Sequence, residues 1–124
     1  MLVALIVDDN DGNRKLARDV LGGGGFRTLE AGTGAEALAL ALEHVPDVVL
    51  MDLRLPDIDG TEAARRLRDD ERTAGIPVVA LSALSLEGND AWLQGAGFAG
   101  WLEKPIHVAT FAEQVREYCS DATR

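Results

Sequence analysis

Five short apolar runs recur along the chain, and an amphipathic stretch follows each of them. No other feature constrains the fold as strongly. The runs fall at 2–7, 26–30, 47–51 ("DVVLM"), 77–81 ("PVVAL") and 99–103 ("AGWLE"). Helical periodicity falls between and after them, at about 11–21, 34–44, 60–69, 89–95 and 108–119. Strands joined by helical crossovers run parallel, and a parallel sheet needs both faces covered. The expected fold is α/β, a doubly wound five-stranded parallel sheet with five helices on two faces. A chain of 124 residues suits one domain, so residues 1–124 are expected to form a single domain. The chain stops shortly after Thr123, and no output domain is expected.

Local punctuation supports these elements. Thr33 followed by Glu36 is a capping box for the second helix, with Leu38, Ala41, Leu42 and Val45 as its apolar stripe. The run Gly22 to Gly25 is expected to end the first helix after Leu21. In the last helix Val108, Phe111, Val115 and Tyr118 share one face. The fourth helix is the weak one. It carries Gly88, Gly95 and Gly97 in or beside it, and each interior Gly costs roughly 0.5–1 kcal/mol relative to Ala. It is expected to be marginal and mobile.

Composition excludes several function classes. Apolar residues make up 47% and charged residues 27%, which is globular rather than disordered. The net charge of −9 disfavours nucleic acid and anionic membrane surfaces. A single cysteine, Cys119, allows no intrachain disulfide and suits a cytoplasmic location. The apolar start stops at Asp8, too short for a signal peptide or a membrane span.

The strand ends carry the chemistry. In open α/β sheets ligands bind at the carboxyl ends of the strands. The first run ends in Asp8 and Asp9, the third in Asp52, the fourth in Ser82 and the fifth in Lys104. Adjacent carboxylates are costly to bury unless compensated. Three of them on neighbouring strand tips form an oxygen-rich pocket for a small divalent cation such as Mg²⁺. Such a cation offsets the repulsion and neutralises an incoming phosphoryl group. Lys104 adds a positive charge and Ser82 a hydroxyl donor. Asp52 stands alone at its strand end, which makes it the candidate nucleophile for an aspartyl phosphate.

These residues make the sequence resemble the receiver domain of bacterial response regulators, of the single-domain chemotaxis and cell-cycle type. The match spans almost the whole chain: Asp8–Asp9 after the first strand, Asp52 in "VVLMDLRLPDIDG" with Pro56 and Gly60 at the family's spacing, Ser82–Ala83 after "PVVAL", and Lys104–Pro105 in "GWLEKPI". The resemblance implies a flavodoxin-like strand order, 2-1-3-4-5. It implies that Asp8, Asp9, Asp52 and the backbone carbonyl of Arg54 hold Mg²⁺. Asp52 would accept a phosphoryl group from a phosphohistidine on a histidine kinase or histidine phosphotransfer protein. Ser82 would hydrogen-bond that group and Lys104 would pair with it. Trp101 takes the aromatic switch position, where Tyr or Phe is more usual. Arg54 and Leu84 take the variable positions beside the site. The Lys104–Pro105 bond would be cis. The implied function is a non-enzymatic switch whose helix 4, strand 5 and helix 5 face is read by a downstream protein.

Blander roles suit other residues. Asp9 or Asn10 suits an N-cap, and Asp57 and Asp59 suit turn and cap contacts before the third helix. Arg14, Lys15 and Arg18 form a basic strip on the first helix, ordinarily a solvated face, though the resemblance sets it beside the partner's docking surface. His44 and His107 lack a metal-ligand spacing, and Cys119 suits a packed, inert thiol. Two alternatives remain: a receiver module of a hybrid histidine kinase, which "DDNDGNRKL" resembles, and a Mg²⁺-dependent aspartyl phosphatase. Phosphatases resembling the haloacid dehalogenase type place an Asp-x-Asp on the first strand, whereas Asp8 and Asp9 are adjacent.

Overall fold

The computed structural model describes residues 1–83 and 85–119. Ten elements alternate without exception. They are β1 (Val3–Val7), α1 (Asp11–Gly23), β2 (Arg27–Ala31), α2 (Gly34–His44), β3 (Val48–Asp52), α3 (Gly60–Asp69), β4 (Val78–Ser82), α4 (Asp90–Gly95), β5 (Gly100–Glu103) and α5 (Phe111–Tyr118). The strands form one parallel sheet in the order β2-β1-β3-β4-β5.

Side-chain alternation along the strands builds two cores. Leu5, Val7, Val49, Met51 and Ala80 face one side and pack with Ala37 and Ala41 of α2, Ala63, Ala64 and Leu67 of α3, and Leu93 of α4. Ala4, Ile6, Val48, Leu50, Val79 and Leu81 face the other and pack with Ala17 and Leu21 of α1 and Phe111 and Val115 of α5. The central strands are buried on both faces, as continuous apolar runs require. Among the described residues, no helix is long and apolar enough to cross a membrane.

Three local expectations are corrected. Helix α1 continues through Gly22 and Gly23, where an added Cβ would meet nothing. It ends at Gly24, whose N–H donates to Val20 and Leu21 carbonyls, and the positive φ falls at Gly25 (91°). Helix α2 packs through Gly34, Ala37 and Ala41, while Leu42 and Val45 are exposed. Small side chains form the buried centre of this contact, and Leu38 and Leu40 pack against its margin. Helix α5 begins at Phe111 because residues 108–110 form a turn, with the Thr110 and Phe111 N–H groups donating to the His107 carbonyl. Val108 is consequently exposed. Helix α4 has only six residues and no side-chain cap.

Candidate functional site

The strand order reverses between β1 and β3, and the crevice opened there lies at the carboxyl ends of these strands. Asp8 follows β1 directly and is 2% exposed. Its N–H donates to the Ala31 carbonyl (3.1 Å), its Oδ1 accepts from the Asn10 N–H (2.9 Å), and its Oδ2 lies 2.9 Å from Lys104 Nζ. Asn10 is the N-cap of α1, its side chain accepting from the Asn13 N–H at 2.9 Å. That cap leaves the exposed Asp9 at the pocket mouth.

Asp52 is the last residue of β3, paired with Leu81 of β4. It is 9% exposed. Its Oδ1 accepts from the Arg54 N–H (3.2 Å), and its Oδ2 lies 3.2 Å from Lys104 Nζ. One carboxylate oxygen from each of Asp8, Asp9 and Asp52 lies within 4.8 Å of the others. Ser82 ends β4 and is buried. Its carbonyl accepts from the Lys104 N–H (2.8 Å), extending the β4–β5 ladder so that it delivers Lys104 to the pocket. The Lys104–Pro105 bond is cis. A cavity of about 690 Å³ opens over Asp8, Asp9, Asp52, Ser82 and Lys104.

Charge in the pocket is unbalanced, with three carboxylates facing one ammonium. Burial raises the Asp52 pKa. The Arg54 amide and Lys104 oppose that rise, and the charge of Asp8 adds to it. Burial on its own would lower the Lys104 pKa, but its contacts with Asp8 and Asp52 outweigh that effect and raise it. The donor set is hard oxygen throughout and short of positive charge. It therefore fits a small, hard divalent cation such as Mg²⁺.

Gly60 explains the tight spacing after Asp52. A Cβ there would collide with the Asp52 carbonyl oxygen and sit 2.8 Å from Leu53 Cα. Only glycine lets the first turn of α3 rest on the tip of β3, where the Gly60 N–H donates to the Leu53 carbonyl (3.0 Å).

The remaining candidates separate. Trp101 lies on β5 opposite Ala80, half-buried, with its ring against the core on the α2–α4 side. Leu84 lies outside the described residues. Asp57 does not serve α3. Its carboxylate accepts from the Gly34 (2.8 Å) and Ala35 (2.9 Å) N–H groups, capping α2 from across the crevice. Those two amides hold its pKa below the ordinary carboxylate range. Asp59 is the N-cap of α3 without a side-chain bond. Arg14 is not a solvated residue either: its side chain is 18% exposed and its guanidinium reaches the Asp8 carbonyl. The sequence signal for both is slight: an acid two residues before an N-cap, and an arginine three residues after Asp11.

The chain matches the response regulator receiver domain family over residues 4–116. It is 41% identical over 118 residues to the polar-differentiation response regulator DivK of Brucella ovis, spanning 95% of this chain and 96% of that one. It is similar in structure to the chemotaxis protein CheY4 of Vibrio cholerae, at 26% identity with a TM-score of 0.88, covering 95% of this chain and 98% of the other. The receiver domain of the sensor histidine kinase PA1611 of Pseudomonas aeruginosa is similar at 31% identity with a TM-score of 0.84, covering 94% and 96%. That structure has a magnesium ion coordinated in the active site cleft.

Proposed function

Since the chain belongs to the response regulator receiver family and is a receiver domain of two-component signalling, we propose that it is a phosphoacceptor switch whose acceptor is Asp52. One observation carries the assignment. Asp52 alone among the three clustered acids ends its own strand, with Lys104 on one of its oxygens and the Arg54 amide on the other. These contacts oppose the effect of burial and favour the ionised, nucleophilic form of the carboxylate. A carboxylate oxygen of Asp52 attacks the phosphorus of a phosphohistidine on a histidine kinase or histidine phosphotransfer protein. The P–N bond breaks, its electron pair leaves with the imidazole, and an acyl phosphate forms.

Asp8, Asp9, Asp52 and the Arg54 carbonyl would hold Mg²⁺, which when bound supplies positive charge to the phosphoryl oxygens. The magnesium ion in the 31% identical receiver domain supports this reading. Lys104 pairs with the phosphoryl group from the β5 side, and Ser82 donates its hydroxyl to it. The Ser82 side chain moves toward Asp52 to do so, and Trp101 turns inward into the space beside β5. The new charge, on the order of −1.5 to −2 by analogy with other phosphorylated side chains, biases a two-state equilibrium. The α4, β5 and α5 face then presents a different surface to a downstream protein. Acetyl phosphate with Mg²⁺ should change tryptophan fluorescence in the wild type and in Trp92→Phe, and leave Asp52→Asn unchanged. A change that persists in Asp52→Asn refutes the acceptor. A change that Trp92→Phe abolishes and Trp101→Phe preserves refutes the ring movement.

A further inference from the structure

We propose that Arg14 is a positioning residue for the acid pair: by holding the Asp8 carbonyl, its guanidinium aims Asp9 and preforms the cation pocket. The inference rests on the site reading above. Arg14 lies on the first turns of α1, where an arginine ordinarily extends into water, yet its side chain is only 18% exposed. Its Nη1 donates to the Asp8 carbonyl at 2.6 Å. Its Nη2 pairs with Asp11 on the same helix. Its Nε lies 3.5 Å from Glu30 on β2, and Glu30 is also bound by Arg18 at 3.1 Å. The slot is narrow, since a Cβ on Gly32 would stand 3.2 Å from Nη1. One planar fork thus ties α1, the β2 edge and the end of β1 together.

The oxygen it holds belongs to the peptide that joins Asp8 to Asp9. Peptide planarity means that fixing this oxygen fixes the whole plane, and with it the direction in which the Asp9 Cα leaves the strand. Asp8 is already held at its N–H and at both carboxylate oxygens. Exposed Asp9 takes its place from the backbone it stands on. Arg14 therefore acts on the cation through Asp9, without touching it. Partners behind metal ligands commonly change affinity by 10–100-fold when removed.

Charge and positioning give opposite signs, which makes the inference testable. Arg14 is a cation beside a cation site. On charge alone, Arg14→Gln should tighten Mg²⁺ binding; as a positioning residue, its loss should weaken it. Calorimetric Mg²⁺ titrations at neutral pH would compare the wild type, Arg14→Gln, Arg14→Lys and Asp9→Ala, with circular dichroism confirming folded protein at the titration temperature. The expected result is affinity reduced about tenfold in Arg14→Gln and less in Arg14→Lys, which keeps a donor but loses the fork. Unchanged or tighter binding in Arg14→Gln overturns the inference alone. If Arg14→Gln does not fold, Arg14→Lys decides: weakened binding supports the inference and wild-type affinity overturns it. A wild type that binds no Mg²⁺, or an Asp9→Ala variant that binds it undiminished, overturns the site reading and this inference with it.

Discussion

Gly60→Ala places one methyl group where the fold has no room for it. An ideal Cβ at residue 60 overlaps the Asp52 carbonyl oxygen and lies 2.8 Å from Leu53 Cα. Carbon atoms pack best at about 3.5–4.0 Å, so the two segments must separate by roughly 0.7 Å or more. Both neighbours are backbone, and no side chain can rotate away to relieve the contact. Overpacking of this kind costs about 1–3 kcal/mol. The opposing gain from Ala at a helical position is at most about 0.5–1 kcal/mol, and smaller in a first turn. The clash wins. We expect Gly60→Ala to lower the melting temperature, on the order of 3–12 °C for a chain of this size. The displacement acts on the Asp52–Leu53 peptide, so Asp52 should also be phosphorylated more slowly by a small donor, under conditions where the variant remains folded. Thermal unfolding by circular dichroism and a time course by mass spectrometry read the two effects. A variant as stable as the wild type, with an unaltered phosphorylation rate, would refute the reasoning.

Two further outcomes follow from other contacts. Asp57 has a depressed pKa because its ionised form caps α2. Its contribution is therefore present above the unfolded-state value, about 3.9, and is lost as pH falls through the lower folded value. Asp57→Ala should lower the urea midpoint at pH 7, with the gap to the wild type closing below about pH 4; a gap independent of pH contradicts the cap. Burial pushes the Cys119 thiol up to about 11. Native protein at pH 8 should thus react with a disulfide reagent far more slowly than unfolded protein, and equal rates would contradict its packing.

The site is legible in the sequence because its chemistry sits at strand ends, and strand ends are marked by the switch from apolar to polar residues. That marker also misleads by one residue. Apolar runs end β3 and β4 one position early, since the apolar signal stops at Met51 and Leu81 while the ladder continues through Asp52 and Ser82. Hydrogen bonding between strands uses backbone and is indifferent to the side chain's polarity. The stripe expected on α2 holds at Ala41, which is buried, and at Leu38, which packs against the core, but Leu42 and Val45 are exposed and the small Gly34 and Ala37 complete the contact face. Asp57 and Arg14 are hidden because their partners are remote in sequence or lie in the backbone. Asp57 caps residues 22 and 23 positions away, and Arg14 holds a carbonyl, which no residue pattern displays.

Locating the phosphoryl group tests the central claim most directly. Protein incubated with Mg²⁺ and acetyl phosphate should gain one phosphoryl mass. Borohydride reduction of the acyl phosphate, followed by peptide mass spectrometry, should place the modification at residue 52. Asp52→Asn should gain nothing, and chelating Mg²⁺ should abolish the gain in the wild type. A phosphoryl group on Asp8, on Asp9 or on the Asp52→Asn variant would contradict the account.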